Sequence, residues 1–205
     1  MTLPSELGLD VSRETMDRLE AYVAILQKWN PKINLVASNT LSDVWVRHIY
    51  DSAQVFKALR PTTRHWVDLG SGGGFPGLVV GLLAHEAHPE LNLTLIESDL
   101  RKATFLRTVI RETGISARVL SDRIEEAPPQ AADVVSARAL APLPKLLGYV
   151  ARHLAEEGVA VLLKGENAKS EVSEARKYWH FSCEETPSLT ESRSVVLKLR
   201  DLRNV

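Results

Sequence analysis

Residues 66–83, WVDLGSGGGFPGLVVGLL, constrain the fold more than any other part of this sequence. They have the composition of a short strand, a glycine turn and an apolar helix, in that order. A glycine turn in this position lets backbone N–H groups approach a ligand closely, because glycine adopts φ angles that other residues avoid. Pro76 fits the first turn of the helix, where its missing N–H costs little. The stretch therefore predicts a nucleoside-binding turn at the edge of an α/β sheet.

The rest of the chain continues this alternation of strands and helices. The predicted strands are 66–69, 93–97, 117–120, 133–137 and 159–164, and the helical runs between them are 77–85, 100–113 and 143–155. Short apolar strands alternating with helices are typical of a parallel sheet covered on both faces. A charged helix at 168–177 precedes two further strands, 179–184 and 194–199, with no helix between them. We therefore expect the class I S-adenosylmethionine-dependent methyltransferase fold, a Rossmann-like, doubly wound, mostly parallel sheet ending in an antiparallel hairpin.

Residues 1–60 are predicted to form a helical extension ahead of a methyltransferase domain at 61–205. Apolar residues recur at three- and four-residue spacing between positions 16 and 26, which indicates a helix. We expect this helix to end at Asn30-Pro31, because the residue before a proline resists helical geometry. A second helix is predicted to begin at Thr40, since Thr40 and Asp43 have the spacing of a capping box.

The bulk composition excludes several classes of protein. An apolar fraction of 44% argues against disorder, and the single Cys183 excludes an internal disulfide and suits a reducing cytosol. The sequence lacks a signal-peptide pattern and any apolar run near the ~20 residues of a membrane span. We therefore expect a cytoplasmic monomer with no membrane segment and no metal site. A formal net charge of −1 neither favours nor excludes nucleic acid as a partner.

The glycine turn can be parsed in two registers, which favour different cofactors. Gly72, Gly74 and Gly77 have the G-x-G-x-x-G spacing of a dinucleotide site. In this register, however, the first glycine comes three residues after the strand end at Leu69, and Phe75-Pro76 occupies the start of the helix that should face a pyrophosphate. In the other register Gly70, Gly72 and Gly74 follow Asp68 at the strand tip. An acidic residue there suits a cationic sulfonium better than a dianionic pyrophosphate. Asp68, Gly70 and Gly72 are thus candidates for binding S-adenosylmethionine, and a nicotinamide-dependent oxidoreductase remains the alternative.

Polar residues at the ends of the following strands extend this candidate site. Glu97 ends the second strand, where a carboxylate can accept hydrogen bonds from ribose hydroxyls, although it could also be a solvated strand-end residue. Arg138 and Lys164 end the fourth and fifth predicted strands, at the ligand-binding edge of an open α/β sheet. Arg138 is expected to contact cofactor or RNA, or to pair with a carboxylate. Lys164 is expected to contact RNA, or to be an ordinary surface lysine.

Further basic residues are candidates for RNA contact. Arg47 and His48 lie on the second predicted helix, and His48 could equally be a packing histidine, since it shares a face with apolar residues. Two other basic groups could face RNA or solvent; they are Arg101, Lys102, Arg107 and Arg111 after Glu97, and Arg193, Lys198, Arg200 and Arg203 near the C-terminus.

Seven segments of the chain, taken together and in order, have the sequence pattern of a known protein family. They are NPKINLVA (30–37), RHIYDS (47–52), DLGSGGGFPG (68–77), IESDLRKATFLR (96–107), DRIEE (122–126), DVVSARALAPL (133–143) and LLKG (162–165). The chain resembles the bacterial ribosomal RNA small-subunit methyltransferase G family, also called glucose-inhibited division protein B, from about residue 19 to 199. The departures from the family pattern, such as Pro31, Tyr50 and Glu97, remove no needed functional group.

The resemblance implies a reaction and a set of residues. It implies methyl transfer from S-adenosylmethionine to N7 of a guanosine in 16S rRNA, with naked rRNA or the small ribosomal subunit as partner. Gly70 and Phe75 would contact the cofactor, Ile124 and Glu125 its adenine end, and Arg138 its methionine end. Arg193 matches a basic residue that the family often has before its last strand. A catalytically idle RNA-binding protein on the same fold, or a methyltransferase for a small molecule or protein, stays open as an alternative.

Overall fold

The protein, described here for residues 3–205 by a computed structural model, is built on one seven-stranded sheet. The strands are β1 (His65–Leu69), β2 (Asn92–Ile96), β3 (Ala117–Leu120), β4 (Ala132–Arg138), β5 (Leu154–Lys164), β6 (Trp179–Pro187) and β7 (Val195–Asn204). Their order is β3-β2-β1-β4-β5-β7-β6. The first five strands pair in parallel, and β7 runs antiparallel to both β5 and β6. The predicted doubly wound sheet with an antiparallel closing hairpin is confirmed.

Helices connect and cover the strands. They are α1 (Arg13–Ile33), α2 (Asp51–Ala53), α3 (Gly77–Ala87), α4 (Leu100–Thr113), α5 (Leu143–His153) and α6 (Ala168–Ala175). A π-helical stretch, Trp45–Tyr50, leads into α2, and a 3₁₀ stretch, Gln54–Ala58, follows it. We call residues 45–58 together the 45–58 segment. Within residues 3–205, no helix has the combination of length and apolar character that would let it cross a bilayer.

Side chains alternate across the sheet and form two cores. Trp66 and Val134 point into a core that also contains the apolar faces of α1, α3 and α4. Val67 and Val135, their neighbours along the strands, point into a second core beneath α5 and α6. This alternation follows from the two-residue period of a strand, so short apolar strands can be buried on both faces.

The prediction that α1 ends at Asn30-Pro31 is wrong. The helix continues to Ile33 and is capped by Asn34, whose φ is 48°. Pro31 is tolerated because the carbonyl that loses its N–H partner belongs to Gln27, an exposed residue. The Asn30 side chain also stabilises this end, since its Oδ1 accepts the Val36 N–H at 2.8 Å and its Nδ2 donates to the Val36 carbonyl at 3.1 Å.

The predicted capping box at Thr40 and Asp43 is also wrong. The Thr40 hydroxyl is bonded to the Ala37 carbonyl at 2.7 Å and to Nε2 of His48 at 2.8 Å, so it does not cap a helix start. After Thr40, helical structure begins only with the π-helical stretch at Trp45, and α-helical geometry follows at Asp51.

The boundary between α5 and β5 also differs from the sequence-based one. Helix α5 ends at His153 rather than at residue 155, and β5 starts at Leu154 rather than at residue 159. The His153 ring bonds the Ile124 carbonyl at 2.8 Å through Nε2, which holds the helix end in place. Leu154, at the start of β5, pairs with Ala132 before a register shift in the ladder. Such a shift interrupts the two-residue alternation of a strand, so the sequence pattern does not reveal where β5 begins.

The packing of α3 on the sheet depends on Gly77. A Cβ at this position would lie 2.5 Å from Leu95 Cδ2 and 2.7 Å from Asp68 Cβ, whereas a Cβ on Gly148 in α5 would meet nothing within 4 Å. We expect Gly77→Ala to lower the free energy of unfolding by about 1–3 kcal/mol through overpacking. The control, Gly148→Ala, should raise it by roughly 0.5–1 kcal/mol. Urea unfolding measures both, and equal effects of the two substitutions would contradict this packing.

Candidate active site

The residues predicted from separate segments meet at the carboxyl edge of the parallel strands. The glycine loop (residues 70–76) follows β1, and Glu97 follows β2. Ile124 and Glu125 lie in the turn after β3, while Arg138 ends β4 and Lys164 ends β5. Open α/β sheets bind ligands at this edge, where the strand order reverses.

The glycine loop has backbone angles and close contacts that side chains at its glycine positions would disturb. Gly70 and Gly72 have φ angles of 62° and 52°. A Cβ on Gly70 would lie 2.5 Å from Leu140 Cδ1, which means that the loop packs directly against the turn after β4. From the N-terminal side the Tyr22 hydroxyl donates to the Gly73 carbonyl, so α1 also holds this loop. Sequence analysis missed Tyr22, although it lies beside Leu19 and Val23 on the buried face of α1.

Glu97 is ordered by the backbone around it and is only 8% exposed. Its Oε2 accepts the Gly72 N–H at 2.8 Å, and its Oε1 accepts the Asp99 N–H at 2.8 Å. It is therefore not a freely solvated strand-end residue. Each carboxylate oxygen still has a second lone pair, so the side chain can accept hydrogen bonds from a vicinal diol such as ribose.

Asp68 lies behind the glycine loop and is completely buried. Its Oδ1 accepts a hydrogen bond from the Ser136 hydroxyl at 2.7 Å. Its Oδ2 faces Gly77, and no hydrogen-bond donor reaches this atom from the described part of the chain. Burial raises the pKa of Asp68 from 3.8 to about 6, against the opposing effect of the Ser136 hydrogen bond. With a pKa of about 6, the Asp68 carboxyl is mainly ionised at neutral pH, but none of its surface is exposed to solvent.

Phe75 joins the glycine loop to the 45–58 segment. Its ring is 4% exposed and stacks on the His48 ring with 5.0 Å between centroids. Cζ of Arg138 lies 4.7 Å from the same ring, within the range of a cation–π contact. The Tyr22 ring packs beside it at 5.4 Å.

Arg138 is held by three polar contacts to the 45–58 segment. Its Nη1 donates to Oδ2 of Asp51 and to the Arg47 carbonyl, both at 3.2 Å. Its Nη2 donates to Nδ1 of His48 at 3.0 Å. The Arg138 and Asp51 side chains are 17% and 15% exposed, so the pair is shielded from most of the solvent. The ion pair that sequence analysis offered as the alternative for Arg138 is present.

These contacts fix the tautomer of His48. Because Arg138 can only donate, Nδ1 of His48 accepts, and Nε2 therefore carries the proton that it donates to Thr40 Oγ1. Burial, Arg138 and Arg47, in that order, lower the pKa of His48 from 6.5 to about 3. A neutral His48 is thus part of the support of Arg138 and has no free ring nitrogen for another ligand.

Asp51 is a second residue of this site that sequence analysis missed. Besides pairing with Arg138 through Oδ2, it accepts at Oδ1 from Gln54 Nε2 at 2.9 Å, Thr190 Oγ1 at 3.0 Å and Ser188 Oγ at 3.4 Å. It thereby connects β4 to the loop between β6 and β7. Its position three residues after His48, on one side of a predicted helix, could have indicated this role.

A cavity of about 480 Å³ adjoins this cluster. Its lining includes Arg138, Leu140, Lys164, Glu171 and Ser194. Leu140, which packs on Gly70, lines the cavity on the side of the glycine loop.

The remaining sequence candidates lie near this cavity or along the same edge of the sheet. Lys164 is 9% exposed, with Nζ 2.6 Å from Glu171 Oε2 and 2.9 Å from the Ala141 carbonyl, so it is no ordinary surface lysine. Arg47 and Arg193 form exposed pairs, with Glu191 at 2.7 Å and with Glu166 at 3.1 Å. In the turn after β3, Ile124 is buried and Glu125 is exposed.

Known proteins resemble this chain in sequence and in fold. The sequence matches the family described as rRNA small subunit methyltransferase G over residues 15–197. A protein named ribosomal RNA small subunit methyltransferase G from Ruegeria sp. (strain TM1040) is 54% identical over 97% of both chains. One of the same name from Rhodospirillum centenum is 53% identical over 96% of this chain and 89% of its own.

Solved structures confirm the fold class. A TehB-like SAM-dependent methyltransferase from Corynebacterium glutamicum has a TM-score of 0.58 at 16% identity, covering 89% of this chain and 98% of its own. A variant of MtNAS in complex with S-adenosylmethionine has a TM-score of 0.59 at 14% identity, covering 91% of this chain and 75% of its own. The predicted class I methyltransferase fold is therefore confirmed.

The support of Arg138 can be tested by removing one charge. In Asp51→Asn the amide oxygen can still accept from Thr190 and Gln54, but an NH₂ group faces the Arg138 guanidinium. We expect methyl transfer to fall about 100-fold, because a small displacement of a positioning group has effects of this size. The control, Glu112→Gln, removes the carboxylate of an exposed pair with Arg111 and should leave turnover near that of the wild type. Steady-state kinetics measures both; wild-type turnover by a folded Asp51→Asn protein would contradict the assignment.

The pKa shifts of His48 and Asp68 predict opposite pH dependences of stability. Between about pH 3 and pH 6.5 the unfolded chain binds a proton at His48 that the folded chain does not, so this contribution to stability rises with pH. Between pH 3.8 and about pH 6 the folded chain retains a proton on Asp68, so that contribution falls with pH. The stability advantage of the wild type over His48→Asn should therefore grow from about pH 4 to about pH 7, and its advantage over Asp68→Asn should shrink. Thermal unfolding at several pH values tests this, and pH-independent differences would refute it.

Proposed function

This chain belongs to the rRNA small subunit methyltransferase G family, and from this membership we propose that it transfers a methyl group from S-adenosylmethionine to N7 of one guanosine in 16S rRNA. The observation that carries the proposal is the family match over residues 15–197, which includes every residue placed at the edge described above. The nicotinamide and idle-protein alternatives gain no support from relatives that carry methyltransferase names.

The residues at this edge fit S-adenosylmethionine. The glycine loop offers a close approach without side chains, and Glu97 offers a preordered carboxylate for the ribose. Ile124 and Glu125 would hold the adenine end. Phe75, which is buried in the loop, would contact the cofactor from the loop side. When bound, the cofactor supplies an electrophilic methyl group on a positively charged sulfur. The buried negative charge of Asp68, behind Gly70 and Gly72, favours a cation on the other side of the loop.

The chemistry of N7 matches a site without a general base. N7 of guanine carries an in-plane lone pair and no proton, so the protein has to position the base rather than remove a proton from it. Positioning of this kind can supply roughly 7–11 kcal/mol. The base becomes cationic on methylation, and the two cations that line the cavity are neutralised, Arg138 by Asp51 and Lys164 by Glu171. We therefore assign Arg138 to positioning.

Two exposed arginines whose contacts include residues of the cavity lining suggest where RNA would lie. Arg47 and Arg193 are 47% and 73% exposed, and each could exchange its carboxylate partner for a phosphate. Lys164 is proposed to contact the base, and His48, with both ring nitrogens occupied, to act through Arg138. A 16S rRNA or small-subunit substrate implies a cytoplasmic protein, and the monomeric state remains a prediction.

The activity is tested by mass mapping of 16S rRNA from a strain that lacks this protein. We expect the loss of one N7-methylguanosine, restored by the wild type but not by Gly72→Arg, because Gly72 lies in the loop at a φ of 52° and donates to Glu97. The matched control is Gly114→Arg, at the C-cap of α4, where φ is 71° and no atom lies within 4 Å of a Cβ. This control carries similar backbone strain away from the site and should restore the methyl group.

A binding measurement separates the cofactor question from the substrate question. We expect saturable binding of S-adenosylhomocysteine and no binding of NAD(H) by calorimetry. Binding of NAD(H) alone, or an unchanged methylation pattern in the deleted strain, would contradict the proposal. Cofactor binding with methylation of another base atom would retain the enzyme class and refute the N7 assignment.

A further inference from the structure

The Lys164–Glu171 pair borders the cavity with hydrogen-bonding capacity to spare. Two of the three Nζ–H groups are used, one by Glu171 Oε2 and one by the Ala141 carbonyl. Glu171 Oε2 also accepts the Leu143 N–H at 2.7 Å, whereas within residues 3–205 no donor reaches its Oε1. The pair therefore presents one free donor and one free acceptor side by side at the cavity wall.

A donor beside an acceptor matches one edge of guanine. Next to N7, guanine carries O6, an acceptor, and then N1–H, a donor. Adenine carries the reverse order, with the N6 amino donor nearest to N7 and the N1 acceptor beyond it. A lysine ammonium next to a carboxylate can therefore satisfy O6 and N1–H together, and it would leave adenine with a donor facing a donor.

The pair lies next to Arg138 at the sheet edge. Lys164 stands at the end of β5, one residue beyond Leu163, which pairs with Arg138 in the sheet. Glu171 lies on α6, which follows β5 in the chain, and its Oε2 lies 2.6 Å from Nζ of Lys164. The pair therefore stands beside Arg138 at the carboxyl edge of the strands, and both of its members line the cavity.

We propose that Lys164 and Glu171 form the guanine-discriminating pair of this enzyme, with Nζ donating to O6 and Oε1 accepting from N1–H. The inference rests on the proposed function, which supplies guanosine as the substrate. The pair has no net charge, so it recognises the base without opposing the positive charge that develops on N7.

The test is a mutant cycle between protein and base. The substrates are small-subunit rRNAs whose target guanosine is replaced by 2-aminopurine nucleoside, which lacks O6 and N1–H, or by inosine, which keeps both. The enzymes are the wild type, Lys164→Met and Glu171→Gln; the latter keeps an oxygen for the Leu143 N–H. Matched controls on α6 are Lys169→Met and Glu174→Gln, two exposed residues that do not line the cavity.

The measured quantity is the ratio of kcat/KM for guanosine to kcat/KM for 2-aminopurine, in which the fraction of active enzyme cancels. We expect Lys164→Met and Glu171→Gln each to lower this ratio by about 5- to 150-fold, and the controls to leave it unchanged. The wild type should accept inosine nearly as well as guanosine.

Each other outcome overturns the inference in an identifiable way. Unchanged ratios in both variants, with turnover reduced on every substrate, would make the pair structural and leave the proposed function intact. The same holds if the wild type methylates N7 of guanosine but does not prefer it to 2-aminopurine. Failure of the wild type to methylate N7 of guanosine at all would refute the proposed function and this inference together.

Discussion

The ion pair between Arg138 and Asp51 is the interaction on which the rest of this site depends. It joins the end of β4 to the 45–58 segment, and the same carboxylate holds the loop between β6 and β7 through Ser188 and Thr190. The neutral His48 supports the guanidinium from a second side. Three parts of the chain that are distant in sequence thus converge on one arginine at the sheet edge. A side chain held in this way loses little entropy on binding a substrate, which is what a reaction limited by positioning requires.

The N-terminal residues form one wall of this site. The hydroxyl of Tyr22 and the ring of His48 both contact the glycine loop, through Gly73 and Phe75. The other wall is the sheet edge, where Leu140 packs on the loop. The loop is therefore held from both sides by contacts that are present without a ligand. Asp68, the acidic residue at the tip of β1, is buried next to this loop and does not reach the surface.

The sequence predicts the sheet and the edge residues well because strand periodicity and glycine turns are local signals. The glycine turn, Glu97, Arg138 and Lys164 could be placed at one edge from strand order alone. The partners of these residues could not, because the contacts of Arg138 with Asp51 and of Lys164 with Glu171 depend on tertiary packing. The errors also depend on contacts that the local sequence does not show: the Asn30 side chain stabilises the end of α1 beyond Pro31 by bonding Val36, and the Thr40 hydroxyl bonds His48 instead of capping a helix.

The central claim is that Asp51 acts on the reaction through Arg138, and a double-mutant cycle on these two residues tests it most directly. The measurement is the rate of methyl transfer to the small subunit by the wild type, Asp51→Asn, Arg138→Gln and the double variant, with thermal unfolding to confirm folding. If Asp51 works through Arg138, the double variant should be no slower than the slower single variant. Rate losses that multiply in the double variant would contradict the account, because they would mean that the two residues act independently.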